Sequence, residues 1–198
     1  MPPIKTIVKW RLNYFYPHLR SKNPAAVSSG PLQAKVRLMH YRLYLPDDFP
    51  QLYAIERECF QPPFRFSRRY MQQLIANPNS ATWISESGPS ESNPVNSNPQ
   101  ITGFGIIELA NECTQTIAYI QTLEVAPSHR RQGIATELLT RLESSATAAG
   151  AQLLWLHVAE TNTPAIAHYQ AHGYEPQGRE ENYYAPNLHA LTYFKLID

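Results

Sequence analysis

A basic turn that runs into a helix carries the clearest chemical pattern in the sequence. "HRRQGIATELL", residues 129–139, places Arg130 and Arg131 just before Gly133 and Ala135. Small residues let a ligand approach the backbone, and the first amides of a helix have no intrahelical acceptor. These amides and the arginines suit a phosphate group, so the turn predicts a pyrophosphate cradle, with an ordinary solvated helix start as the alternative. The pattern lacks the Gly-Lys-Ser/Thr ending of a P-loop and the three glycines of a dinucleotide-binding fold.

Apolar periodicity predicts the elements that position this turn. A long strand in "TQTIAYIQTLEVAP" precedes it, and a helix from Ile134 to a C-terminal Gly150 follows it. Thr163 and Pro164 predict the start of another helix, so Asn162 should keep its amide free of capping. The complete order is a strand, two helices, three strands, a helix, a strand, a helix and two strands, which is a mixed α/β fold.

Composition limits the class of protein. The 198 residues are 43% hydrophobic, which suits one folded domain with some excess chain. The two cysteines, Cys59 and Cys113, lack metal-ligand spacing, and no apolar run reaches the ~20 residues of a membrane span. We therefore expect a soluble, cytoplasmic protein that needs no metal and has no disulfide framework.

The positive charge is concentrated at the N-terminus. Residues 1–46 contain eight Lys or Arg and no acid, whereas residues 47–198 contain nine basic and sixteen acidic groups. Apolar residues between Ile4 and Leu19 recur at nearly helical spacing until Pro17 interrupts them. This arm is either a surface for ribosome, RNA or anionic lipid, a transit segment, or a helix packed on the body. We expect residues 1–35 to be a basic extension and 36–198 to be the folded domain.

The two signatures in the body resemble those of the GCN5-related N-acetyltransferases (GNAT). "VAPSHRRQGIATELL" is similar to the acetyl-coenzyme A signature Arg/Gln-x-x-Gly-x-Gly/Ala, and "LHVAETNTPAIAHYQAHGYE" is similar to the second signature of that family. The resemblance covers about residues 36–198. It implies a mixed central sheet of six to seven strands flanked by about four helices, with acetyl-coenzyme A as cosubstrate and no metal.

Three further segments resemble the protein N-terminal acetyltransferases within this family. "AIERECFQPPF" is similar to their peptide-lining helix and turn, "ENYYA" to their closing hairpin, and "AYIQTLEVAP" to their central strand. The resemblance implies transfer of acetyl to the α-amine of a protein or peptide, by direct attack in a ternary complex. The alternatives are a GNAT enzyme acting on a small amine or a lysine side chain, and a non-catalytic acyl-coenzyme A binding module.

The reaction needs a base for the amine and an acid for the thiolate. The pKa of a peptide α-amine is about 8, so a histidine acting through water suffices as base. By resemblance His157 is that base, Tyr119 holds the water, and Tyr169 protonates the leaving thiolate. A histidine on an apolar strand is otherwise a satisfied core residue, and Glu124 is the carboxylate to test if His157 is not the base.

The resemblance also assigns the binding residues. We expect the coenzyme to contact the end of the central strand, the basic turn and the second signature: Leu123, Glu124, Val125, Arg130, Arg131, Gln132, Gly133, Ile134, Ala135, Thr136, Asn162 and Tyr169. Backbone amides near Val125 would bind the oxyanion. Phe60, Pro62, Tyr183 and Tyr184 are candidates for the peptide wall, whereas Leu153 and Trp155 are expected in the core. The protein is expected to be a monomer or a homodimer.

Overall fold

The computed structural model describes residues 39–88, 99–112 and 115–197. The chain divides into two units, Met1–Val36 and Arg37–Asp198, and the described residues belong to the second. The predicted amphipathic segment of the arm, most of the Ser/Asn/Pro-rich loop and Cys113 lie outside the described residues. The predictions for the arm therefore stay predictions.

One seven-stranded mixed sheet forms the body. Its spatial order is β1-β2-β3-β4-β5-β7-β6, and every neighbouring pair is antiparallel except β4 with β5. The strands are β1 (Met39–Leu43), β2 (Ser80–Ser87), β3 (Gln100–Glu112), β4 (Gln115–Val125), β5 (Ala151–Ala159), β6 (Glu175–Ala185) and β7 (Leu188–Leu196). The predicted order of elements and the mixed α/β class are confirmed.

In the part of the chain that the structure describes, four α-helices cover the two faces of the sheet: α1 (Phe49–Cys59), α2 (Arg68–Ala76), α3 (Ile134–Ala148) and α4 (Thr163–Ala171). Side chains of neighbouring strand residues point to opposite faces. Ile106 packs in the cluster of α1 and α2, and Ile107 packs in the cluster of α3 and α4. The apolar stripe predicted for α3 is buried, and Gly150 follows its C-cap with a φ of 76°.

The parallel pair β4–β5 separates in the middle of the sheet. Its paired register runs from Thr116–Ala151 to Ile120–Leu156, whereas β4 continues to Val125 and β5 to Ala159. A β-bulge lies at the same level, because Ile107 of β3 pairs with Ile120 while Ile106 pairs with Thr122. The ends of β4 and β5 therefore form a cleft in the sheet.

A second irregularity lies in the pairing of the edge strand β6 with β7. Glu180 pairs with Ala190 and Ala185 pairs with Leu188, so residues 181–184 of β6 stand opposite His189 alone. Asn182 adopts a left-handed φ of 56°, which asparagine tolerates better than most residues. The bulged segment carries Tyr183 and Tyr184, the two predicted peptide-wall tyrosines.

Candidate active site

Tyr119 and His157 meet on the α1–α2 face of the sheet. Their neighbours Ala118, Ile120, Leu156 and Val158 pack under α3 and α4, so Tyr119 on β4 and His157 on β5 point the other way. The Tyr119 hydroxyl lies 2.9 Å from Nδ1 of His157, and 3.3 Å from the Tyr183 hydroxyl. The Tyr183 ring stacks on the imidazole, with ring centroids 4.2 Å apart and planes 12° apart. The three side chains form one cluster.

The hydrogen bond between Tyr119 and His157 has one dominant direction. Burial, followed by the neighbouring Tyr183, raises the pKa of Tyr119 well above its usual value, so the phenol stays protonated and donates. Nδ1 of His157 is then the acceptor, and Nε2 carries the ring proton. Nε2 lies 3.2 Å from Oε1 of Glu180, within ion-pair distance but outside hydrogen-bond alignment. The histidine side chain is only 1% exposed.

Aromatic side chains from three elements surround this cluster. Trp155 of β5 packs against Tyr119 with ring centroids 4.8 Å apart. Tyr184 contacts Phe64, in the segment between α1 and α2, at 4.8 Å. Burial raises the pKa of Tyr183 to about 12. The cluster is therefore enclosed by neutral, hydrogen-bonding aromatic groups.

The segment after α1 forms the outer part of this wall. Phe60 is half-buried at the C-cap of α1, and Pro62 is exposed two residues later. Phe64, four residues after Phe60, makes the ring contact to Tyr184 of the β6 hairpin. The α1–α2 segment and the β6 hairpin therefore contact each other through Phe64 and Tyr184.

Tyr169 approaches from the other face of the sheet. It lies on α4, is 8% exposed, and packs in the cluster under α3 and α4. Burial raises the pKa of Tyr169, and its charge in turn contributes to the raised pKa of Tyr184. Tyr169 is therefore a buried, protonated phenol on the α3–α4 side of the sheet.

The basic turn has the backbone expected of an anion cradle. Gly133 is the N-cap of α3 with a φ of 79°, and a Cβ added there would meet nothing within 4 Å. Arg131 also has a positive φ of 64°. Arg131, Gln132 and Gly133 are exposed, as is Thr136, whereas Ile134 is buried and Ala135 is half-buried. The open space in front of Gly133 lets a ligand approach the first amides of α3.

Arg130 makes a contact that its predicted role as a counter-charge does not include. Its Nε donates to the Val125 carbonyl at 3.1 Å, and one terminal nitrogen lies 3.5 Å from Sγ of Cys59. Cys59 in turn donates to the same carbonyl at 3.5 Å. Arg130 therefore ties the turn to the end of β4 and to α1.

Glu124 lies in the same region but apart from the histidine. Its carboxyl is 2% exposed, accepts a hydrogen bond from Thr122 at 2.8 Å, and faces Glu56 of α1. Burial, then the neighbouring Glu56, raises the pKa of Glu124 well above its usual value. Leu123 and Val125 flank it, and Leu123 packs on the α3 side of the sheet. The groups that act on the Glu124 carboxyl are Glu56, Thr122 and Cys59.

A sequence profile of the acetyltransferase (GNAT) family matches residues 49–174, more than half of the chain. The chain belongs to the GNAT family. Curated relatives include histone acetyltransferase MCC1 of Arabidopsis thaliana, 23% identical over 80% of this chain and 69% of the relative. Another is the [ribosomal protein bS18]-alanine N-acetyltransferase of Haemophilus ducreyi, 28% identical over 69% of this chain and 83% of the relative.

Solved structures show the same GNAT fold. Arabidopsis thaliana NAA60 with a bisubstrate analogue matches with a TM-score of 0.71 and 21% identity, over 81% of this chain and all of that one. The ribosomal-protein-S18-alanine N-acetyltransferase from Escherichia coli matches with a TM-score of 0.66 and 21% identity, over 81% of this chain and 95% of that one.

Two details of this GNAT domain differ from the sequence-based expectations. Asn162, not Thr163, is the N-cap of α4, because its Oδ1 accepts a hydrogen bond from the Ala165 amide at 3.3 Å. The expectation that the amide group of Asn162 is free of capping is wrong for Oδ1, which leaves Nδ2 as the group that could donate to a coenzyme. Leu153 and Trp155 were expected in the core, yet both are half-buried, and Trp155 packs on the Tyr119–His157 pair.

Sequence reasoning missed Glu180 as part of the GNAT site. It lies three residues before Tyr183 in a run with charges on both sides, where a carboxylate is normally a solvated strand residue. β6 pairs with β7 and not with β5, so the contact of Glu180 with His157 spans β7. No spacing within the sequence indicates that contact.

Across 39–88, 99–112 and 115–197, no group of three or more His, Cys, Asp or Glu side chains could hold a metal ion. Within these ranges no helix is both long and apolar enough to cross a membrane.

Proposed function

We propose that this GNAT enzyme transfers acetyl from acetyl-coenzyme A to the N-terminal α-amine of a protein or peptide. The observation that carries the proposal is the direct contact of Tyr119 with His157 beneath the Tyr183 ring, beside the cleft where β4 and β5 separate. Peptide-acetylating relatives and structural neighbours support this choice of acceptor.

The buried histidine receives the proton through the tyrosine hydroxyl. His157 is 1% exposed and its Nδ1 is occupied by Tyr119, so the amine cannot reach the imidazole directly. The amine, or a water bound to it, gives a proton to the Tyr119 oxygen while Tyr119 gives its own proton to Nδ1. The imidazolium that forms then faces the Glu180 carboxylate at 3.2 Å, which stabilises its charge.

The remaining groups act on the coenzyme. Acetyl-coenzyme A would place its pyrophosphate on the first amides of α3 at Gly133, where the backbone is open. The thioester would lie between the separated ends of β4 and β5, where a Val125 amide can donate to the oxyanion. Tyr169, a buried and protonated phenol on α4, would give a proton to the departing thiolate.

The aromatic wall suits an extended backbone. Tyr183 and Tyr184 on the bulge, with Phe64 opposite, present rings and hydroxyls that can enclose and hydrogen-bond a peptide. Phe60 and Pro62, which precede Phe64 on the same segment, are the candidates for contact with the first residue of the substrate.

Mass spectrometry of a peptide library incubated with acetyl-coenzyme A tests the proposal. We expect acetyl groups on free α-amines, and none on matched peptides whose N-termini are blocked but which contain lysine. Since relatives include a histone and a streptothricin acetyltransferase, a lysine-containing blocked peptide and a small amine are the necessary comparison substrates. Acetylation of these alone would contradict the proposal, and no transfer to any amine would favour a non-catalytic coenzyme-binding module.

The basic arm serves location rather than chemistry in this proposal. Residues 1–46 carry eight positive groups and no acid, a charge that suits a ribosome, an RNA or an anionic lipid surface. The enzyme would act in the cytoplasm, where protein N-termini emerge and thiols stay reduced.

A further inference from the structure

The bulge of β6 is held in place by a specific set of hydrogen bonds. Residues 181–184 have no partner residues on β7 other than His189, so ladder hydrogen bonds alone cannot define their path. The Asn182 amide donates to Nδ1 of His189 at 3.1 Å, and Oδ1 of Asn182 accepts from the Asn187 amide at 2.7 Å. Both asparagines have positive φ, 56° and 63°. We call this set of three residues the bulge anchor.

The bulge anchor determines where Tyr183 lies. Asn182 directly precedes Tyr183, whose ring stacks on His157 at 4.2 Å and whose hydroxyl lies 3.3 Å from that of Tyr119. Glu180, on the other side of the bulge, lies 3.2 Å from Nε2 of His157. Two groups that contact the histidine therefore depend on the path of the bulged segment.

The anchor requires one protonation state of His189. Nδ1 accepts from a backbone amide, so it must be unprotonated, and the ring proton is on Nε2. Protonation of Nδ1 would place two donors against each other and remove the hydrogen bond. His189 is thus an acceptor only in its neutral form.

We propose that His189 is a positioning residue, which holds the bulge that lays Tyr183 on His157 and releases it when its own ring becomes protonated. The effect on rate rests on the proposed function, whereas the anchor itself does not. On this basis peptide acetylation should fall on the acid side through an ionisation of His189, in addition to that of His157.

The charges around His189 come from two neighbouring segments. Oε1 of Glu160, just after β5, lies 4.0 Å from Nε2 of His189. Arg179 of β6 binds Glu160 with its Nε at 2.7 Å, and also contacts Glu181 at 3.2 Å. Glu160 is thus the carboxylate beside the His189 ring, and Arg179 pairs with that carboxylate. His189 is 17% exposed on its side chain, so solvent protons reach it.

Nuclear magnetic resonance on the free protein tests the anchor without any substrate. Histidine ¹⁵N shifts should show the Nε2–H tautomer of His189 at pH 8. The protection factor of the Asn182 amide against hydrogen exchange should be high at pH 8 and should fall as His189 becomes protonated. A proton on Nδ1 at pH 8, or unchanged protection in His189→Leu, would overturn the inference.

Paired substitutions test the consequence for the reaction. His189→Asn keeps an acceptor oxygen near the position of Nδ1 but cannot titrate, whereas His189→Leu has a similar shape and no acceptor. We expect His189→Leu to lower kcat/KM for the peptide about 3- to 10-fold, the effect of one lost hydrogen bond, with acetyl-coenzyme A affinity unchanged. His189→Asn should restore most of that loss, and its acid limb should contain one proton fewer than that of the wild type. His40→Leu and His40→Asn, at an exposed position on the opposite edge strand, are the matched controls.

The kinetic outcomes separate the two proposals. An acid limb of His189→Asn identical to the wild type would overturn the positioning role. If the spectra agree with the anchor while no variant and no wild-type protein acetylates peptides, the anchor is supported and the assigned acceptor is wrong. If His189→Leu does not fold, the tautomer, the wild-type protection factors and His189→Asn still decide the matter.

Discussion

At the scale of single residues, the proposed route of the amine proton through Tyr119 to His157 predicts the effects of two substitutions. His157→Ala should lower kcat/KM for a peptide by roughly 10² to 10⁴ and remove the histidine ionisation from the pH profile. Tyr119→Phe should lower the rate as well, because the buried imidazole then has no hydroxyl through which to receive a proton. Steady-state kinetics across pH 6 to 9 measure both. A near-full rate in His157→Ala with an unaltered profile would return His157 to the core.

The affinity of the Tyr119→Phe variant for acetyl-coenzyme A is the control for its effect on rate. The hydroxyl contacts His157 and Tyr183, and no described contact joins it to the basic turn. Calorimetric affinity for acetyl-coenzyme A should therefore equal that of the wild type. A parallel loss of coenzyme affinity would indicate that the substitution disturbs the cleft as a whole.

The buried Glu124 should affect how the free energy of unfolding depends on pH. Its pKa is raised in the folded protein by burial and by Glu56, so unfolding above pH 4.5 releases a proton. The free energy of unfolding should fall as pH rises from about 4.5 toward the folded-state pKa, by at most about 1.4 kcal/mol per pH unit. Glu124→Gln cannot titrate and keeps an oxygen for Thr122.

Thermal unfolding of Glu124→Gln and wild type at several pH values measures this effect. The Tm of the variant should exceed that of the wild type by an amount that grows with pH. Glu175→Gln, at an exposed position at the start of β6, should show no such trend. A Tm difference that stays constant with pH would mean that Glu124 has no shifted ionisation.

The sequence predicts some of these residues far better than others. Tyr119 and His157 could be named beforehand because their strands match a family pattern, and the structure brings them within 2.9 Å. Glu180 and His189 could not, since their roles depend on a four-residue bulge that period-2 alternation does not encode. Asn162 was misassigned because a Thr-Pro pair resembles a helix start, while the asparagine one residue earlier provides the cap.

At the scale of elements, the turn between β4 and α3 should control coenzyme binding. Acetyl-coenzyme A bound only to the folded protein should raise its Tm. Gly133→Asp should abolish this shift by adding an anion in front of the amides, whereas Gly133→Asn adds similar bulk without charge and tolerates the positive φ. We expect Gly133→Asn to retain part of the shift, as measured by thermal unfolding with and without coenzyme. A full shift in Gly133→Asp would rule out this coenzyme site.

Element type and order followed from the sequence, but the geometry between elements did not. The apolar periodicity of residues 134–148 predicts the helix α3, and the apolar run of residues 151–159 predicts the strand β5, because both patterns reflect burial of nearby residues. The pairing of β4 with β5 ends at Ile120–Leu156, and where it ends depends on how the strands of the whole sheet pack together. That property belongs to the assembled sheet, and single-strand patterns carry no record of it.

At the scale of the whole molecule, the two parts of the chain carry opposite charge. Deletion of residues 1–35 should leave turnover on a free peptide nearly intact, since every site residue lies in the body. The deletion should weaken any salt-sensitive binding to ribosomes, RNA or anionic vesicles, measured by co-sedimentation at two salt concentrations. A truncated protein that does not fold would show that the amphipathic stretch belongs to the core.

The position of Trp155 gives the enzyme an internal optical reporter. Its indole lies 5.2 Å from the His157 ring, centroid to centroid, and 4.8 Å from Tyr119, while Trp83 bonds to Ser145 under α3. A protonated imidazole quenches nearby indole emission, whereas a neutral one does so weakly. In a protein with Trp10 and Trp83 replaced by Phe, steady-state emission against pH would follow the charge of His157 directly. Fluorimetry could then report the protonation state of His157 in the substrate-free enzyme, without an acetyl donor, an acceptor or a turnover.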